Sequence, residues 1–352
     1  MKGIILHGGH GTRLRPLTHT GPKQLLPIAN QPMSQYCVET LVNAGIKEIA
    51  FIIGGIGSNK VKEYYGDGKK FGVKFTYIQQ DSPKGIAHAI SLCEDFVNNE
   101  KFVVFLGDNI IQRKINDYII DFEKSNAFAS LLLCEVNNPS QFGIAEIENN
   151  KIIKITEKPK NPPTNLAVTG IYFLTPYIFE VIKKLKPSWR NELEIADALQ
   201  ILVEEHKKII YGIITDFWKD TGTPNDIIEA NRIILENLPE SFQGEKEENV
   251  LLKGKIIVEQ GTSIKKGVKI SGPVIIGENC IIEGNAVING NTSIGKNSHL
   301  SNCNISNSII MENCIIEGKL TIKNSIIASN SKIVKDQNEK KFLLGEGTQI
   351  SL

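Results

Sequence analysis

A large aliphatic residue recurs at every sixth position in the second half of the chain. The series runs over nine positions, Leu252, Val258, Ile264, Ile270, Ile276, Ile282, Ile288, Ile294 and Leu300. Nine positions in register at one fixed period are typical of parallel β-helices, whose coils each have three flat faces. The repeat therefore predicts a parallel β-helix over residues 251–334.

The repeat has one irregular place and is flanked by two segments of different character. Its register slips near Ile305 and resumes at Ile310, Ile316 and Ile322, which predicts one irregular coil. Residues 238–250 are polar and acidic and are expected to form a linker. Residues 335–352 contain lysine-rich stretches and a Phe-Leu-Leu run, and we expect this tail to cap the open coil.

The first third of the chain alternates between short apolar runs and amphipathic segments of helix length. The runs are GIIL, EIAFII, KFTYI and KFVVFL, and helices are expected over 34–44, 59–65 and 85–97. This alternation is typical of βαβ units in a mostly parallel sheet, where ligands bind beyond the carboxyl ends of the strands. We predict a Rossmann-like α/β domain over residues 1–237, with its functional residues in the loops after the strands.

Charge and cysteine content exclude several classes of protein. The 352 residues include 40 Lys and Arg and 39 Asp and Glu, so the net charge of +1 gives no support for binding to nucleic acid or to membrane surfaces. Six cysteines form no C-x-x-C pair, and no apolar run approaches the roughly 18 residues of a membrane span. The chain starts directly on a strand-like run, so we expect a cytoplasmic protein without a signal peptide.

The loop after the first strand contains Gly8, Gly9 and Gly11, followed by Arg13 and, farther on, Lys23. Glycines allow backbone N–H groups to crowd around an anion, and the two cations would add charge at a phosphate. The spacing is neither that of a P-loop nor G-x-G-x-x-G. A tight strand-to-helix turn without a ligand is the alternative.

Three other loops carry polar residues at strand ends. Gln80 could present a donor and an acceptor to a base edge, and Asp108 and Asp220 could supply hard oxygen ligands to Mg²⁺. Taken separately, a solvated glutamine and two turn-capping or helix-capping aspartates explain the same residues.

Several motifs together resemble those of the sugar-phosphate nucleotidyltransferases. They are GGHGTRL, PKQLLP, QDSPKG, LGDN, EKP, VTG and WKDTGT, and the resemblance is strongest to the long form of the glucose-1-phosphate thymidylyltransferases, which ends in a left-handed β-helix. It implies transfer of a nucleotidyl group from dTTP to glucose 1-phosphate, yielding dTDP-glucose and pyrophosphate by Mg²⁺-dependent in-line displacement without a covalent intermediate.

The resemblance also assigns roles to individual residues. The catalytic cations are Arg13 and Lys23, and the Mg²⁺ ligands are Asp108 and Asp220. The nucleotide-binding residues are Leu6, Gly8, Gly9, Gly11, Thr12, Gln80 and Gly85. The sugar-phosphate-binding residues are Asn109, Gly143, Glu157, Lys158, Val168 and Gly170.

The chain departs from the family pattern at three histidines. His7 and His10 replace an alanine and a small residue and are expected to lie along the path of the nucleotide, and His88 replaces a glutamine. The stretch RNELEIAD, residues 190–197, resembles a family motif and is expected to start a helix, with its acidic residues either capping that helix or contacting a ligand.

Other functions remain open at this point. UTP could replace dTTP, because both bases fit a similar pocket. An acyltransferase on the β-helix would need a projecting loop and His299, the one histidine of that region. A non-catalytic regulatory subunit would be expected to have lost the glycine loop, the lysine or the aspartates. The β-helix itself is expected to support a homo-oligomer.

Overall fold

The computed structural model describes residues 1–9 and 11–335 of the chain. These residues divide into two units. The first is built from Met1–Gly11, Thr18–Leu25 and Met33–Asp220, and the second from Thr12–Leu17, Leu26–Pro32 and the residues from Thr221 onward. His10 and residues 336–352, the greater part of the predicted capping tail, lie outside the described residues.

The elements up to residue 237 alternate as the sequence predicted. The strands are β1 (Lys2–His7), β2 (Pro27–Ile28), β3 (Gln31–Pro32), β4 (Glu48–Ile53), β5 (Lys74–Gln79), β6 (Phe102–Leu106), β7 (Asn109–Ile111), β8 (Ala129–Glu135), β9 (Gly143–Glu148), β10 (Lys151–Glu157), β11 (Leu166–Leu174), β12 (Ile209–Ile214) and β13 (Trp218–Asp220). The helices are α1 (Met33–Asn43), α2 (Asn59–Tyr65), α3 (Ile86–Ser91), α4 (Glu94–Val97), α5 (Asn116–Lys124), α6 (Tyr177–Ile182), α7 (Ile195–Glu204) and α8 (Pro224–Asn237).

The main sheet of the first unit confirms the α/β fold class. Strands β6, β1, β4 and β5 are adjacent and parallel, and β11 then pairs antiparallel with β6, so the sheet is mixed. Alternate residues of β1 serve opposite faces: Ile4 and Leu6 pack in one core cluster, and Ile5 packs in the other. Both faces are therefore covered, and ligand sites are left to the ends of the strands.

The parallel β-helix predicted from the six-residue period is also confirmed. Its strands are β14 (Ser241–Phe242), β15 (Glu245–Lys246), β16 (Leu251–Lys253), β17 (Ile256–Val258), β18 (Ser263–Ile264), β19 (Lys269–Ser271), β20 (Val274–Ile276), β21 (Ile281–Glu283), β22 (Val287–Ile288), β23 (Thr292–Ile294), β24 (His299–Ser306), β25 (Ile309–Ile310), β26 (Ile315–Lys323), β27 (Ile326–Ile327) and β28 (Lys332–Val334). Every pairing among them is parallel.

Residues of the repeat stack directly on one another from coil to coil. Leu252 pairs with Ile270 and Ile270 with Ile288, a separation of 18 residues, whereas Ile288 pairs with Ile305, a separation of 17. The shortened coil is the predicted irregularity near Ile305. Buried aliphatic side chains of successive coils form one continuous core, because a single coil cannot bury its own apolar face.

Three local expectations differ from the structure. The helix expected over 85–97 is divided into α3 and α4, and the helix expected from Arg190 begins only at Ile195. In the expected linker, β14 and β15 pair with β17 and β18, so this segment begins the coil instead of only connecting to it. None of the helices in residues 1–9 and 11–335 has the length and the apolar composition of a membrane span.

Candidate active site

Lys23 and Asp108 form an ion pair at the ends of two separate segments of the first unit. The Lys23 Nζ contacts Asp108 Oδ2, and both side chains are largely buried. Burial alone would raise the pKa of Asp108, but the Lys23 ammonium and hydrogen bonds from Lys23 and Asn109 hold the pKa below its usual range. The pair therefore keeps an ionised carboxylate and a cation next to each other.

The two aspartates predicted to bind Mg²⁺ lie on neighbouring strand ends. Asp108 immediately precedes β7, and Asp220 on β13 pairs with Asn109 of β7. Asn109 holds this corner together, because its Nδ2 donates to Asp108 Oδ1 (3.0 Å) and its Oδ1 accepts from Trp218 Nε1 (2.8 Å). Both carboxylates line the same pocket.

This pair of carboxylates fits the kind of site that Mg²⁺ occupies with a phosphate substrate. Among the described residues, no cluster of three or more His, Cys, Asp or Glu could hold a metal ion. Mg²⁺ is commonly bound by one or two carboxylates together with substrate phosphates and water, so two oxygen ligands from the chain are sufficient. Asp108 and Asp220 have the right chemistry for that role.

The glycines after β1 are required by the local backbone and by close contacts. Gly9 and Gly11 have φ of 107° and 57°, a region that favours glycine. A Cβ on Gly8 would lie 2.8 Å from Gln80 Oε1, so the loop after β1 and the residue after β5 meet at this point. The preceding Leu6 is buried in the core, and its carbonyl accepts from Gly107 N–H (3.0 Å).

Gln80 is held in place by both its backbone and its side chain. Its N–H donates to Ile53 O (2.8 Å), and its Nε2 lies 2.9 Å from His88 Nδ1. Gly85 has φ of 100°, and a Cβ there would collide with the backbone of Leu193, which explains the glycine on structural grounds.

Thr12 and Arg13 belong to the second unit, in a short 3₁₀ turn over Thr12–Leu14. The Arg13 guanidinium packs against Gly222 of the same unit, where a Cβ would lie 2.9 Å from Arg13 Nη2. Their expected contacts to phosphate remain predictions.

The predicted sugar-phosphate residues line the same pocket as the two aspartates. That pocket includes Asp108, Asn109, Gly143, Glu157, Lys158, Val168, Gly170 and Asp220. Gly143 pairs with Glu157 across β9 and β10, and a Cβ on Gly143 would lie 3.3 Å from Glu157 Oε2. Lys158 adopts φ of 42°, a strained value for a residue with a side chain and one often found at functional sites.

Charge around Glu157 was only partly foreseen from the sequence. Burial raises the pKa of Glu157, and the Lys158 and Arg190 cations partly offset this effect. Arg190 Nη2 lies 3.4 Å from Glu157 Oε1 and 2.8 Å from both carboxylate oxygens of Glu194, a residue that is 3% exposed and lines the pocket. The four-residue spacing of Arg190 and Glu194 was the available signal for this network, although it is not helical here.

The expectation that His7 lies along the nucleotide path is wrong. His7 is only 1% exposed, and its ring packs against Phe51 and Tyr65 with centroid distances of 5.2 and 6.3 Å. Neither ring nitrogen has a hydrogen-bond partner among the described residues, and burial lowers the pKa to about 3. As the last residue of β1, His7 is directed into the core by the alternation of the strand.

His299, on which the acyltransferase alternative depends, sits between two glutamates of neighbouring coils. Its Nε2 lies 2.9 Å from Glu283 Oε1, and its Nδ1 lies 3.7 Å from Glu317 Oε1. These contacts give His299 a role in joining coils.

Comparisons with known proteins match both units. The model of the nucleotidyl transferase family covers residues 2–237, and that of the GMPPB C-terminal domain covers residues 270–351. The low-salt glycan biosynthesis nucleotidyltransferase Agl11 of Haloferax volcanii is 46% identical over 73% of this chain and 72% of its own length. A glucose-1-phosphate thymidylyltransferase of Streptomyces antibioticus is 40% identical over 75% of this chain and 74% of its own. A crystal structure shows a Bacillus anthracis protein, described as a glucose-1-phosphate thymidylyltransferase, in complex with sucrose. It is 42% identical in sequence and superposes with a TM-score of 0.64, over 69% of this chain and 98% of that one.

Proposed function

The chain belongs to the nucleotidyl transferase family and is a sugar-1-phosphate nucleotidyltransferase, and from this premise we propose that it makes dTDP-glucose from dTTP and glucose 1-phosphate. A phosphate oxygen of the sugar phosphate attacks the α-phosphorus of dTTP. The new P–O bond forms as the bond from the α-phosphorus to the bridging oxygen breaks, and pyrophosphate leaves with that electron pair.

The observation that carries this proposal is one pocket in the first unit. Its lining combines Asp108 and Asp220, suited to a metal and phosphates, with Glu157 and Lys158, suited to sugar hydroxyls and a phosphate. The attacking group is already an anion, so no protein nucleophile is needed, and positioning with charge neutralisation supplies the catalysis.

Within this proposal each side chain has a defined task. Lys23, with its ammonium beside Asp108, neutralises charge that develops on the phosphates. Glu157 accepts hydroxyl groups of the sugar, Lys158 binds its phosphate, and the glycine loop after β1 holds the triphosphate.

Asp108 and Asp220 would hold Mg²⁺. When bound, the ion supplies positive charge that offsets the charge of the α-phosphate and the leaving pyrophosphate. The hydrogen bonds of Asn109 keep Asp108 in a fixed orientation for this purpose.

The test is pyrophosphate release from dTTP, UTP, CTP, ATP and GTP, each with glucose 1-phosphate and Mg²⁺, and with glucosamine and N-acetylglucosamine 1-phosphates as further acceptors. We expect release with dTTP and glucose 1-phosphate, and none from Asp108→Asn, the matched control for contaminating enzymes. Preference for UTP, or for another sugar phosphate, would replace the proposed substrates and leave the reaction class unchanged. No release from a folded protein with any pair would favour the non-catalytic alternative.

The parallel β-helix is proposed as the element through which copies of the chain assemble. Light scattering after gel filtration measures whether copies of the chain assemble. A monomer at micromolar concentration would contradict it.

A further inference from the structure

Among the described residues, His88 contacts the side-chain nitrogen of Gln80. The two residues come from different elements, Gln80 from the end of β5 and His88 from α3, and the Gln80 Nε2 to His88 Nδ1 distance is 2.9 Å. Gln80 is 4% exposed, so water has little access to its carboxamide and contributes little to the choice between its two orientations. In the tautomer with its proton on Nε2, His88 accepts from Gln80 Nε2 through Nδ1, and this contact then sets which end of the carboxamide faces the glycine loop.

The other end of the carboxamide faces the glycine loop. Gln80 Oε1 lies 2.8 Å from the position that a Cβ of Gly8 would occupy. With Nε2 turned to His88, the atom presented at the loop is therefore an acceptor. A carboxamide rotated by 180° would present a donor there instead.

The placement of His88 relative to Gln80 is fixed by backbone hydrogen bonds. Ala87 N–H donates to Leu193 O (3.1 Å), and Leu193 N–H donates to Lys84 O (2.8 Å), so the entry to α3 is tied on both sides of Gly85. The other end of the contact is tied by the Gln80 N–H bond to Ile53 O. This is the kind of supporting contact that keeps a recognition group in one orientation.

His88 accepts this hydrogen bond only in its neutral form. Burial, with a contribution from the nearby Lys84 cation, lowers the pKa of His88 below its ordinary value. At neutral pH the ring is therefore uncharged, and the tautomer that matches the contact has its proton on Nε2, leaving Nδ1 as the acceptor.

An acceptor at the loop distinguishes between the bases. Thymine and uracil carry an N–H at N3, which donates to a carboxamide oxygen, whereas cytosine has an unprotonated N3 that would face that oxygen lone pair to lone pair. We propose that His88 is a base-specificity residue that acts through Gln80, holding its oxygen toward the nucleotide so that bases with an N3–H are accepted and cytosine is rejected. This inference rests on the proposed function, since it takes Gln80 as the residue that contacts the base.

Two variants of similar size separate this role from simple packing. His88→Asn places Oδ1 where the histidine has Nδ1 and so retains an acceptor, whereas His88→Leu removes it. We expect His88→Leu to raise KM for dTTP or UTP about tenfold, the size of one lost hydrogen bond of about 1.4 kcal/mol. We expect the preference for UTP over CTP in kcat/KM to fall about tenfold in the same variant, with KM for the sugar phosphate unchanged, and His88→Asn to behave as the wild type.

A pH series on the wild type gives a second measurement that does not depend on the folding of a variant. Protonated His88 would donate from Nδ1, turn the Gln80 oxygen toward itself and present Nε2 to the base. We expect the ratio of kcat/KM for CTP to that for UTP to rise as the pH is lowered, and to rise less in His88→Asn, where only protonation of the cytosine N3 itself remains. Because it is a ratio, protonation of the phosphates largely cancels.

The outcomes separate the two proposals. The role of His88 would be overturned, and the function left standing, if the wild type uses dTTP or UTP, His88→Leu discriminates against CTP as strongly, and the pH ratio of the wild type rises no more than that of His88→Asn. A wild type that uses neither nucleotide would overturn the function first.

Discussion

Burial acts on the charge of individual residues in the first unit, both at the candidate site and in the core. Lys23 and Asp108 are largely buried and paired, and burial lowers the pKa of His7 and raises that of Glu157. For His7 and Glu157 the surrounding protein, and not the side chain alone, determines the pKa.

Lys23→Met is predicted to lower kcat/KM by about 100-fold or more, because it removes a preorganised cation while keeping the length of the side chain. Steady-state pyrophosphate release measures the loss. Lys124→Met, at the exposed end of α5, is the matched control and should leave kcat/KM unchanged. Equal activity of the two variants would remove Lys23 from the mechanism.

His7 is predicted to make the protein less stable in acid. In the folded state the pKa of His7 is lowered to about 3 from 6.5, so between these values the unfolded chain takes up a proton that the folded chain does not. The contribution is absent above 6.5 and costs about 2 kcal/mol of unfolding free energy by pH 5. Urea unfolding gives the free energy of unfolding of the wild type and of His7→Ala at pH 7 and pH 5. The wild type should lose about 2 kcal/mol more than His7→Ala between the two pH values. Equal losses in the two proteins would contradict the prediction.

At the scale of the element, the coils of the β-helix depend on residues that tolerate a left-handed backbone at the corners. Asn297, Asn313 and Asn330 have φ of 58°, 58° and 63° and stack in successive coils, with Asn297 donating to Asn313 (3.1 Å) and Asn313 donating to Asn330 (3.3 Å). Asparagine is thus used twice, for its backbone and for its side chain.

Asn313→Ala is predicted to destabilise the β-helix by about 1–2 kcal/mol more than Asn313→Gly. Both substitutions remove the side-chain hydrogen bonds, but only alanine is strained at the φ of 58°. Differential scanning calorimetry of the two variants measures the difference. If glycine costs as much as alanine, the hydrogen bonds and not the backbone account for the asparagine.

At the scale of the whole molecule, the span matched by the nucleotidyl transferase family does not coincide with a structural unit. Helix α8 lies inside residues 2–237 but belongs to the second unit together with the β-helix. Asn231 of α8 is fully buried: its Oδ1 accepts from Ala29 N (2.8 Å) and Ser293 Oγ (2.9 Å), and its Nδ2 donates to Asn291 O (3.1 Å). One side chain therefore joins a loop, a helix and the coil within that unit.

Asn231→Ala is predicted to destabilise the second unit by about 3 kcal/mol, because it leaves several buried polar groups without partners. Asn237→Ala on the same helix is the control, because the Asn237 side chain is exposed and donates to Ile233 O within α8. This substitution should change the free energy of unfolding by less than about 0.5 kcal/mol. Calorimetry of both variants compares them. Equal unfolding temperatures would show that the second unit does not depend on this junction.

Patterns with a fixed period were sufficient to predict most of the fold. The six-residue spacing led to the parallel β-helix and even to the coil shortened at Ile305, because a period in sequence becomes a stack in space when each coil repeats the last. The alternation of strands and helices led to the α/β sheet, and the strand ends indicated Asp108 and Gln80. Glycines such as Gly85 were recognised from the motif, although the collision with Leu193 that requires one was not.

What the sequence alone determined about this protein is its class: local periods and short motifs depend on neighbours along the chain, and they led to both folds and to the family. What only the tertiary structure decided is which distant side chains meet. His7 is next to the glycine loop in sequence, but its side chain lies in the core. His88 contacts Gln80, and Arg190 contacts Glu157, although no sequence spacing indicated either pair. Contacts of that kind depend on how the strands pair and pack, and burial at those contacts then sets the charge that each group carries.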